Sequence, residues 1–136
     1  MILIRRQRYL EKLIRLRDNG QIKIITGIRR CGKSFLLNTI FRDHLMQSGV
    51  KKEQIVMLDL DDNLNARYRN PTELSNYLRN FVKDEDKRYY IMIDEIQKVK
   101  PVPNPYLPDE KIGFVDVLNG LKNLPNVDVY VTLEDE

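Results

Sequence analysis

The chain has 136 residues, 42% of them hydrophobic and 32% charged, which is the length and composition of one soluble globular domain. It has no apolar stretch of the roughly 20 residues that span a membrane, no signal-peptide pattern and a single cysteine, so we expect a cytoplasmic protein without an internal disulfide. The net charge of +3 is unevenly distributed, since residues 1–30 contain nine Arg and Lys but two acidic residues. This basic segment could contact nucleic-acid phosphates, but a solvated helix face that also attracts a nucleotide is the favoured interpretation.

The first predicted element is a basic helix over roughly residues 6–19, inside an N-terminal segment of residues 1–20. Leucines and isoleucines give it an apolar side, and Asn19-Gly20 is a typical helix end. Residues 22–26 form a short β-branched run that predicts a strand, and residues 35–45 carry an apolar stripe at helical spacing. A strand and a helix therefore flank the segment between them.

That segment, residues 27–34, reads Gly-Ile-Arg-Arg-Cys-Gly-Lys-Ser and fits the phosphate-binding pattern Gly-x-x-x-x-Gly-Lys-Ser/Thr at every fixed position. The glycines let backbone N–H groups face a polyphosphate, Lys33 supplies positive charge to the β- and γ-phosphates, and Ser34 offers a hydroxyl to Mg²⁺. A chance glycine turn is the alternative, but the strand before and the helix after favour the phosphate-binding loop. The predicted nucleotide-binding residues are Gly27, Ile28, Arg29, Arg30, Cys31, Gly32, Lys33, Ser34 and Phe35.

A second strand is predicted over residues 55–60, with three acidic residues at its carboxyl end: Asp59, Asp61 and Asp62. These carboxylates could approach a site at that end, but ordinary loop carboxylates are the favoured interpretation. The next helix is predicted to begin at Asn70-Pro71, because Asn70 can cap a helix and proline suits its first turn. From Leu74 onward, apolar residues recur at helical spacing and indicate a core-facing side.

The strand predicted over residues 89–94 is a continuous apolar run that ends in Asp94 and Glu95. Buried strands of a parallel sheet have this composition, and ligands bind at their carboxyl ends. Asp94 is therefore predicted to hold Mg²⁺ beside the phosphate-binding loop, and Glu95 to polarise the water that attacks a γ-phosphate. For Glu95 the alternative is a solvated residue at the start of a loop. The predicted catalytic residues are Glu95 and Lys33, and the predicted metal ligands are Ser34 and Asp94.

Residues 98–110 contain four prolines, which exclude a regular helix and predict an extended loop that can reach a nucleotide or a partner. A helix beginning at Phe114 and a strand over residues 127–132 complete the pattern. The alternation of strands and helices predicts an α/β fold with a three-layer α-β-α arrangement around a mainly parallel sheet. We expect one domain over residues 1–136, with its nucleotide-binding core at residues 21–132.

With both motifs placed, the chain resembles an AAA-type P-loop ATPase of the prokaryotic group whose Walker A motif reads Gly-Ile-Arg-Arg-x-Gly-Lys-Ser and whose Walker B motif reads Asp-Glu-Ile-Gln. The likeness extends from the basic N-terminal segment to Thr132. It implies the sheet of a P-loop NTPase, in which the Walker A strand is flanked by the last strand and by a fifth strand. It also implies binding of ATP and Mg²⁺ with ATP hydrolysis, and the roles described above for Lys33, Ser34, Asp94 and Glu95.

The end of the chain departs from that group. Its members continue after Val-Thr with a Gly-Ser-rich motif that carries a sensor residue, and later with a fifth strand and an arginine-bearing region. Here Thr132 is followed by Leu-Glu-Asp-Glu at residues 133–136, an atypical tail, so we expect a truncated chain with an incomplete C-terminal end and without the sensor and arginine residues. The Walker A strand would then lie at an open sheet edge, which invites self-association.

The residues after the Walker B strand also separate nucleotide classes. Guanine-specific switch proteins carry Asp-x-x-Gly there and Asn-Lys-x-Asp for the base, and this sequence has neither. Small-molecule kinases need no water-activating glutamate beside the Walker B aspartate, so Glu95 makes phosphoryl transfer to a small molecule the less favoured alternative. ATP hydrolysis is the favoured function, and a non-hydrolysing nucleotide-binding switch or assembly module is the other alternative.

Overall fold

A computed structural model describes residues 2–5, 9–27 and 36–134 of the chain. The strands are β1 (Ile2–Arg5), β2 (Lys23–Gly27), β3 (Ile55–Asp59), β4 (Tyr89–Asp94), β5 (Val102–Pro103), β6 (Lys111–Ile112) and β7 (Val127–Glu134). The α-helices are α1 (Tyr9–Leu16), α2 (Arg42–Gln47), α3 (Pro71–Phe81) and α4 (Phe114–Lys122). A π-helical segment, Leu36–Phe41, leads directly into α2, and 3₁₀ turns lie at Lys52–Gln54, Asn63–Arg69 and Ile96–Lys98.

Five strands form one parallel sheet in the order β1-β2-β7-β4-β3. The last strand, β7, lies between β2 and β4, so the two strands that precede the sequence motifs are separated by a single strand. Because all five strands are parallel, their carboxyl ends meet at the same edge of the sheet. The predicted α/β class with a mainly parallel sheet is confirmed.

The N-terminal segment of residues 1–20, in which only a helix over roughly residues 6–19 was predicted, also contains a strand. Residues 2–5 form β1, which pairs with β2 in parallel from Ile2 opposite Lys23 to Arg5 opposite Thr26, and α1 spans Tyr9–Leu16 of the described residues. The expectation that β2 lies at an open sheet edge is therefore wrong, and the self-association inferred from that edge loses its basis. A four-residue strand with three apolar residues is too short to produce a periodic signal, but it can extend an existing sheet.

Alternate residues of the strands face two separate cores, which produces the predicted three layers. On one face, α3 and α4 cover the sheet, and on the other face α1, the π-helical segment and α2 cover it. Neighbours on one strand divide between the cores, since Ile24 packs with α3 and α4 whereas Ile25 packs with α1 and α2. The helical residues in the first core are Leu74, Leu78, Val117, Leu118 and Leu121, and those in the second are Leu13, Leu37, Phe41 and Leu45.

Helix α3 begins as predicted. The side chain of Asn70 accepts hydrogen bonds from the backbone N–H groups of Thr72 at 2.9 Å and Glu73 at 3.2 Å, and Pro71 occupies the first turn. These bonds satisfy two of the N–H groups that a helix start leaves without partners, which stabilises it by about 1 kcal/mol. At 11 residues, α3 is longer than the other α-helices that the structure describes, none of which has the length and apolarity to cross a membrane.

The proline-rich segment after β4 is not a simple extended loop. Val102 and Pro103 pair antiparallel with Ile112 and Lys111, so that β5 and β6 form a small hairpin. A proline is tolerated at such an edge position because the missing N–H is not needed there. The hairpin carries exposed apolar residues at its tip, of which Tyr106 has 89% of its surface accessible.

A polar network occupies the opposite, amino end of the sheet. Lys23 and Asp128 form an ion pair in which Nζ and Oδ1 lie 2.5 Å apart, and Lys23 is fully buried. The hydroxyl of Tyr130 donates a hydrogen bond to Oδ2 of Asp128 at 2.5 Å, and the backbone N–H of Asp18 donates to the same oxygen at 2.8 Å. Burial and the negative charge of Asp128 raise the pKa of Tyr130, which remains a donor over the whole physiological range.

Candidate functional site

The carboxyl edge of the sheet brings together three of the residues predicted from the sequence. Strand β2 ends at Gly27, which lies opposite Glu134 of β7, and strand β4 ends at Asp94 with Glu95 directly after it. With one strand between them and a strand spacing of about 4.8 Å, β2 and β4 are roughly 10 Å apart. The remaining predicted nucleotide-binding residues, at positions 28–35 and including Lys33 and Ser34, lie outside the described residues.

Asp94 is a buried carboxylate at the end of a buried strand. Only 5% of its surface is exposed, and all six residues of β4 are buried. Its oxygen Oδ1 accepts a hydrogen bond from the hydroxyl of Thr132 on the neighbouring strand β7. The backbone carbonyl of Asp94 accepts a hydrogen bond from the N–H of Leu60 at 3.0 Å, which ties the same residue to the end of β3. Asp94 is thus oriented by both neighbouring strands.

Glu95 leaves the strand through a left-handed backbone conformation, with φ 60° and ψ 56°. This conformation costs a non-glycine residue roughly 1–2 kcal/mol, so the surrounding contacts must hold it. The backbone N–H of Glu95 donates to Oγ1 of Thr132 at 2.7 Å, and its carboxylate accepts a hydrogen bond from Nε2 of Gln97. The Oε1 atom of Gln97 in turn accepts from the N–H of Glu134 at 3.1 Å.

The orientation of the Gln97 amide follows from its two partners. A carboxylate oxygen of Glu95 can only accept, and the N–H of Glu134 can only donate, so the amide nitrogen must face Glu95 and the amide oxygen must face Glu134. Gln97 therefore joins the Glu95 carboxylate to the end of β7, opposite Gly27. The last residue of the Asp-Glu-Ile-Gln motif thus contacts its glutamate.

The acidic cluster after β3 divides into two kinds of residue. Asp59 lies opposite Asp94 in the sheet register, so one of the three carboxylates does approach the candidate site. Burial raises the pKa of Asp59, and a hydrogen bond from the N–H of Asp61 opposes this shift, while the nearby charges of Asp94, Asp61 and Asp62 raise the pKa further. Asp61 pairs with Lys98 at 3.3 Å, and Asp62 accepts from the N–H of Leu64 at 2.9 Å, as loop carboxylates do.

The donor atoms at this edge suit a metal ion that keeps most of its water. Within the described ranges, no three Asp, Glu, His or Cys side chains converge as a metal cluster. Mg²⁺ in nucleotide sites is bound by one or two carboxylates together with phosphates and water, and does not need a cluster of protein ligands. Asp94, with Asp59 beside it, has the chemistry of such a partial site.

Sequence reasoning did not select Thr132, which contacts both Asp94 and Glu95. Its side chain is fully buried, and it follows an apolar stretch of the last strand. The available signal for Thr132 was a hydroxyl residue after buried residues of the last strand, in a chain with a Walker B motif on another strand. The two sequence motifs consist of residues that contact a phosphate, its metal ion or the attacking water. Thr132 instead forms hydrogen bonds with the acidic residues, so neither motif includes it.

A protein-family model described as an AAA domain matches residues 19–132, which is most of the chain. The chain belongs to this AAA domain family. Membership agrees with the parallel sheet described above and supports a nucleotide-binding function of the ATPase type. The matched region begins before β2 and ends at Thr132, so it includes both sequence motifs and the strand that lies between them.

The AAA domain is similar to part of a longer protein from Haemophilus influenzae, whose name is given as "Uncharacterized protein". The two sequences are 30% identical over 130 residues, which cover 96% of this chain and 29% of the relative. The chain therefore spans less than a third of the length of this relative. No solved structure matches the chain.

Proposed function

We propose that this AAA domain binds ATP with Mg²⁺ and that the full-length protein hydrolyses it. One observation carries the proposal: β2, which leads into the Walker A sequence, and β4, which ends in the acidic pair, reach the same edge of the sheet with β7 between them. Nucleotides bind at this edge of open parallel sheets. Had the two strands been antiparallel, their motifs would lie at opposite ends of the domain.

In this proposal each motif residue has one task. Lys33 binds the β- and γ-phosphates, and the hydroxyl of Ser34 and the carboxylate of Asp94 hold the hydrated Mg²⁺. A bound Mg²⁺ would neutralise negative charge on the phosphates. Glu95 accepts a proton from the attacking water, or orients that water, as a general base. The backbone N–H groups of residues 27–34 contribute the remaining contacts to the phosphates.

A second function, nucleotide binding without hydrolysis, is supported by a different observation. Gln97 donates a hydrogen bond to Oε2 of Glu95, so the carboxylate proposed as general base is engaged within the protein. A chain that keeps this contact with ATP bound would act as a switch or assembly module. The two functions share one binding site and differ in turnover, so one set of variants separates them.

The experiment measures ATP affinity by calorimetry and phosphate release for three variants. Lys33→Ala should lower ATP affinity at least about tenfold, because hydrogen bonds from a charged group contribute 1.5–3 kcal/mol. Lys52→Ala, an exposed lysine before β3, is the matched control and should bind ATP normally. Glu95→Gln should bind ATP and release no phosphate.

The outcomes are distinct. Tight ATP binding by Lys33→Ala would refute the proposed site. Turnover of the wild-type chain above background would exclude the pure binding module, and binding without turnover would favour it. ATP-dependent phosphorylation in a screen of small-molecule acceptors would instead support a kinase.

Two further predictions stand beside this proposal. Contact between the basic N-terminal segment and nucleic acid stays the less favoured alternative to a solvated helix face, and a mobility-shift assay at several salt concentrations would test it, because phosphate contacts weaken as salt rises. It also stays a prediction that the protein is cytoplasmic and does not associate with a membrane. Fractionation of cells that produce the full-length protein would test both points.

A further inference from the structure

We infer that Thr132 is a positioning residue, which sets the geometry of Asp94 and Glu95 for binding of Mg²⁺ and ATP. The inference rests on the proposed function and assigns to the last strand a task that neither sequence motif contains. Thr132 lies on β7, in register with Ile25 of β2 on one side and next to the end of β4 on the other. It is therefore located between the Walker A strand and the Walker B strand.

The hydrogen bonds of Thr132 have fixed directions. The backbone N–H of Glu95 can only donate, so Oγ1 of Thr132 accepts that hydrogen bond, which is 2.7 Å long. The single hydroxyl proton then goes to Oδ1 of Asp94. One side chain thereby fixes the rotation of the first carboxylate and the backbone position of the second.

Packing alone does not require a hydroxyl at this position. Thr132 is 0% exposed and follows a run of buried residues on β7, where valine would have nearly the same volume and a similar preference for strands. A buried hydroxyl is unfavourable unless it is hydrogen-bonded. Both partners of this hydroxyl are residues of the Asp94-Glu95 pair, so its hydrogen bonds act on the candidate site.

The backbone of Glu95 provides the second argument. Its left-handed conformation is unfavourable for a glutamate, and the bond from its N–H to Thr132 helps to hold the peptide in place. Loss of the two hydrogen bonds of Thr132 would remove one support of the Glu95 backbone and one support of the Asp94 carboxylate. Residues that orient metal ligands in this way typically change metal affinity when they are replaced.

The test measures the ATP affinity of the full chain in Mg²⁺ and again in EDTA. Thr132→Val keeps the volume and removes both hydrogen bonds, and it should weaken ATP binding in Mg²⁺ by about tenfold or more. Affinity in EDTA should remain unchanged, because Asp94 contributes to ATP binding through the metal. Thr132→Ser, which retains the hydroxyl, should restore the dependence on Mg²⁺.

Controls separate positioning from stability. Ile91→Val removes one methylene from the middle of buried strand β4 and lowers stability without contact to the acidic pair. It should keep wild-type affinities in both conditions. Thr132→Ala replaces Thr132→Val if circular dichroism shows that the valine variant is unfolded.

Three results for the Thr132 variants would overturn the inference. The first is a folded Thr132→Val or Thr132→Ala variant whose ATP affinity depends on Mg²⁺ as in wild type. The second is an ATP affinity that is weakened equally in Mg²⁺ and in EDTA. The third is a Thr132→Ser variant that does not restore the dependence of ATP affinity on Mg²⁺. A wild-type chain that binds ATP equally in both conditions would also overturn it while leaving ATP binding intact. A wild-type chain that binds no ATP would show that the proposed function itself is wrong.

Discussion

The two ends of the central sheet hold their acidic groups in different ways. At the amino end, opposite charges meet, and Asp128 is buried against the ammonium group of Lys23. At the carboxyl end, a threonine hydroxyl contacts Asp94 and a glutamine amide contacts Glu95. The ion pair compensates the burial of the Asp128 carboxylate, whereas the hydrogen bonds from the hydroxyl and the amide orient Asp94 and Glu95.

The pKa values of two partly exposed aspartates shift in opposite directions at these ends. Burial alone would raise the pKa of Asp18, but hydrogen bonds from Tyr90 and Arg88, with the nearby arginine charges, outweigh it and lower the pKa. The pKa of Asp59 is raised by burial and by the charge of neighbours that include Asp94. The surroundings at the amino end therefore favour the ionised form of Asp18, whereas those at the carboxyl end disfavour the ionised form of Asp59.

The largest expected effect is at the amino end. Lys23→Met should lower the free energy of unfolding by about 3–5 kcal/mol, because Asp128 would remain buried without its cation. Urea denaturation followed by circular dichroism measures the change. Lys12→Met, at an exposed position of α1, is the matched control and should change stability by less than about 0.5 kcal/mol. Equal stabilities of the two variants would contradict the structural importance of the buried pair.

A smaller effect is expected at Asp18, and it depends on pH. The pKa of Asp18 is lower in the folded state, so its ionised form stabilises the fold above the ordinary pKa of 3.8, and this contribution is lost as the pH falls through the folded value. Asp18→Asn should therefore cost up to about 1 kcal/mol at pH 7, since the side chain is partly exposed and screened, and the cost should vanish in acid.

Asparagine suits this position because Asp18 has a φ of 58°, which asparagine tolerates well. Urea midpoints at pH 7 and below pH 3.8 measure the effect. Asp109→Asn, in the exposed loop between β5 and β6, controls for the loss of one negative charge. A cost that is the same at both pH values would show that the contribution of Asp18 is not electrostatic.

The smallest effect, with the opposite sign, is expected at Asp59. Its pKa is higher in the folded state, so stability decreases as the pH rises from the ordinary value of 3.8 through the folded value. Asp59→Asn removes this loss and keeps an acceptor for the N–H of Asp61. It should increase the free energy of unfolding at pH 7 by a few tenths of a kcal/mol, because Asp59 is exposed and screened. If Asp59→Asn is less stable than wild type at pH 7, the expected difference between the two ends of the central sheet is wrong.

The fold was predicted well wherever a pattern is local. The strand predicted at residues 89–94 matches the observed one, and those predicted at residues 22–26, 55–60 and 127–132 differ from the observed strands by one or two residues at their ends. The cap at Asn70 was also predicted correctly, because it depends on neighbours in the sequence. Strand β1 was missed, since its pairing with β2 is a contact between segments about 20 residues apart that a four-residue pattern does not reveal.

The acidic residues of the candidate site were predicted, but the hydrogen bonds that orient them were not. Asp94 and Glu95 were recognisable from a continuous apolar run that ends in two carboxylates. Thr132 lies 38 residues from Asp94 in the sequence, and the two meet only because β7 inserts between β2 and β4. Gln97 was noticed, but its bridge from Glu95 to Glu134 depends on the same insertion.

The sequence by itself determined four of the five strands of the main sheet with the helices between them, the phosphate-binding pattern and the identity of the acidic pair, because periodicity and motif spacing are properties of neighbouring residues. The tertiary structure decided that β1 covers the edge of β2, that Asp59 lies beside Asp94, and that one threonine holds both residues of the acidic pair. These contacts join segments whose distance along the chain carries no information about their distance in the sheet. These segments meet because of the strand order, and the strand order depends on burial of apolar surface over the whole domain.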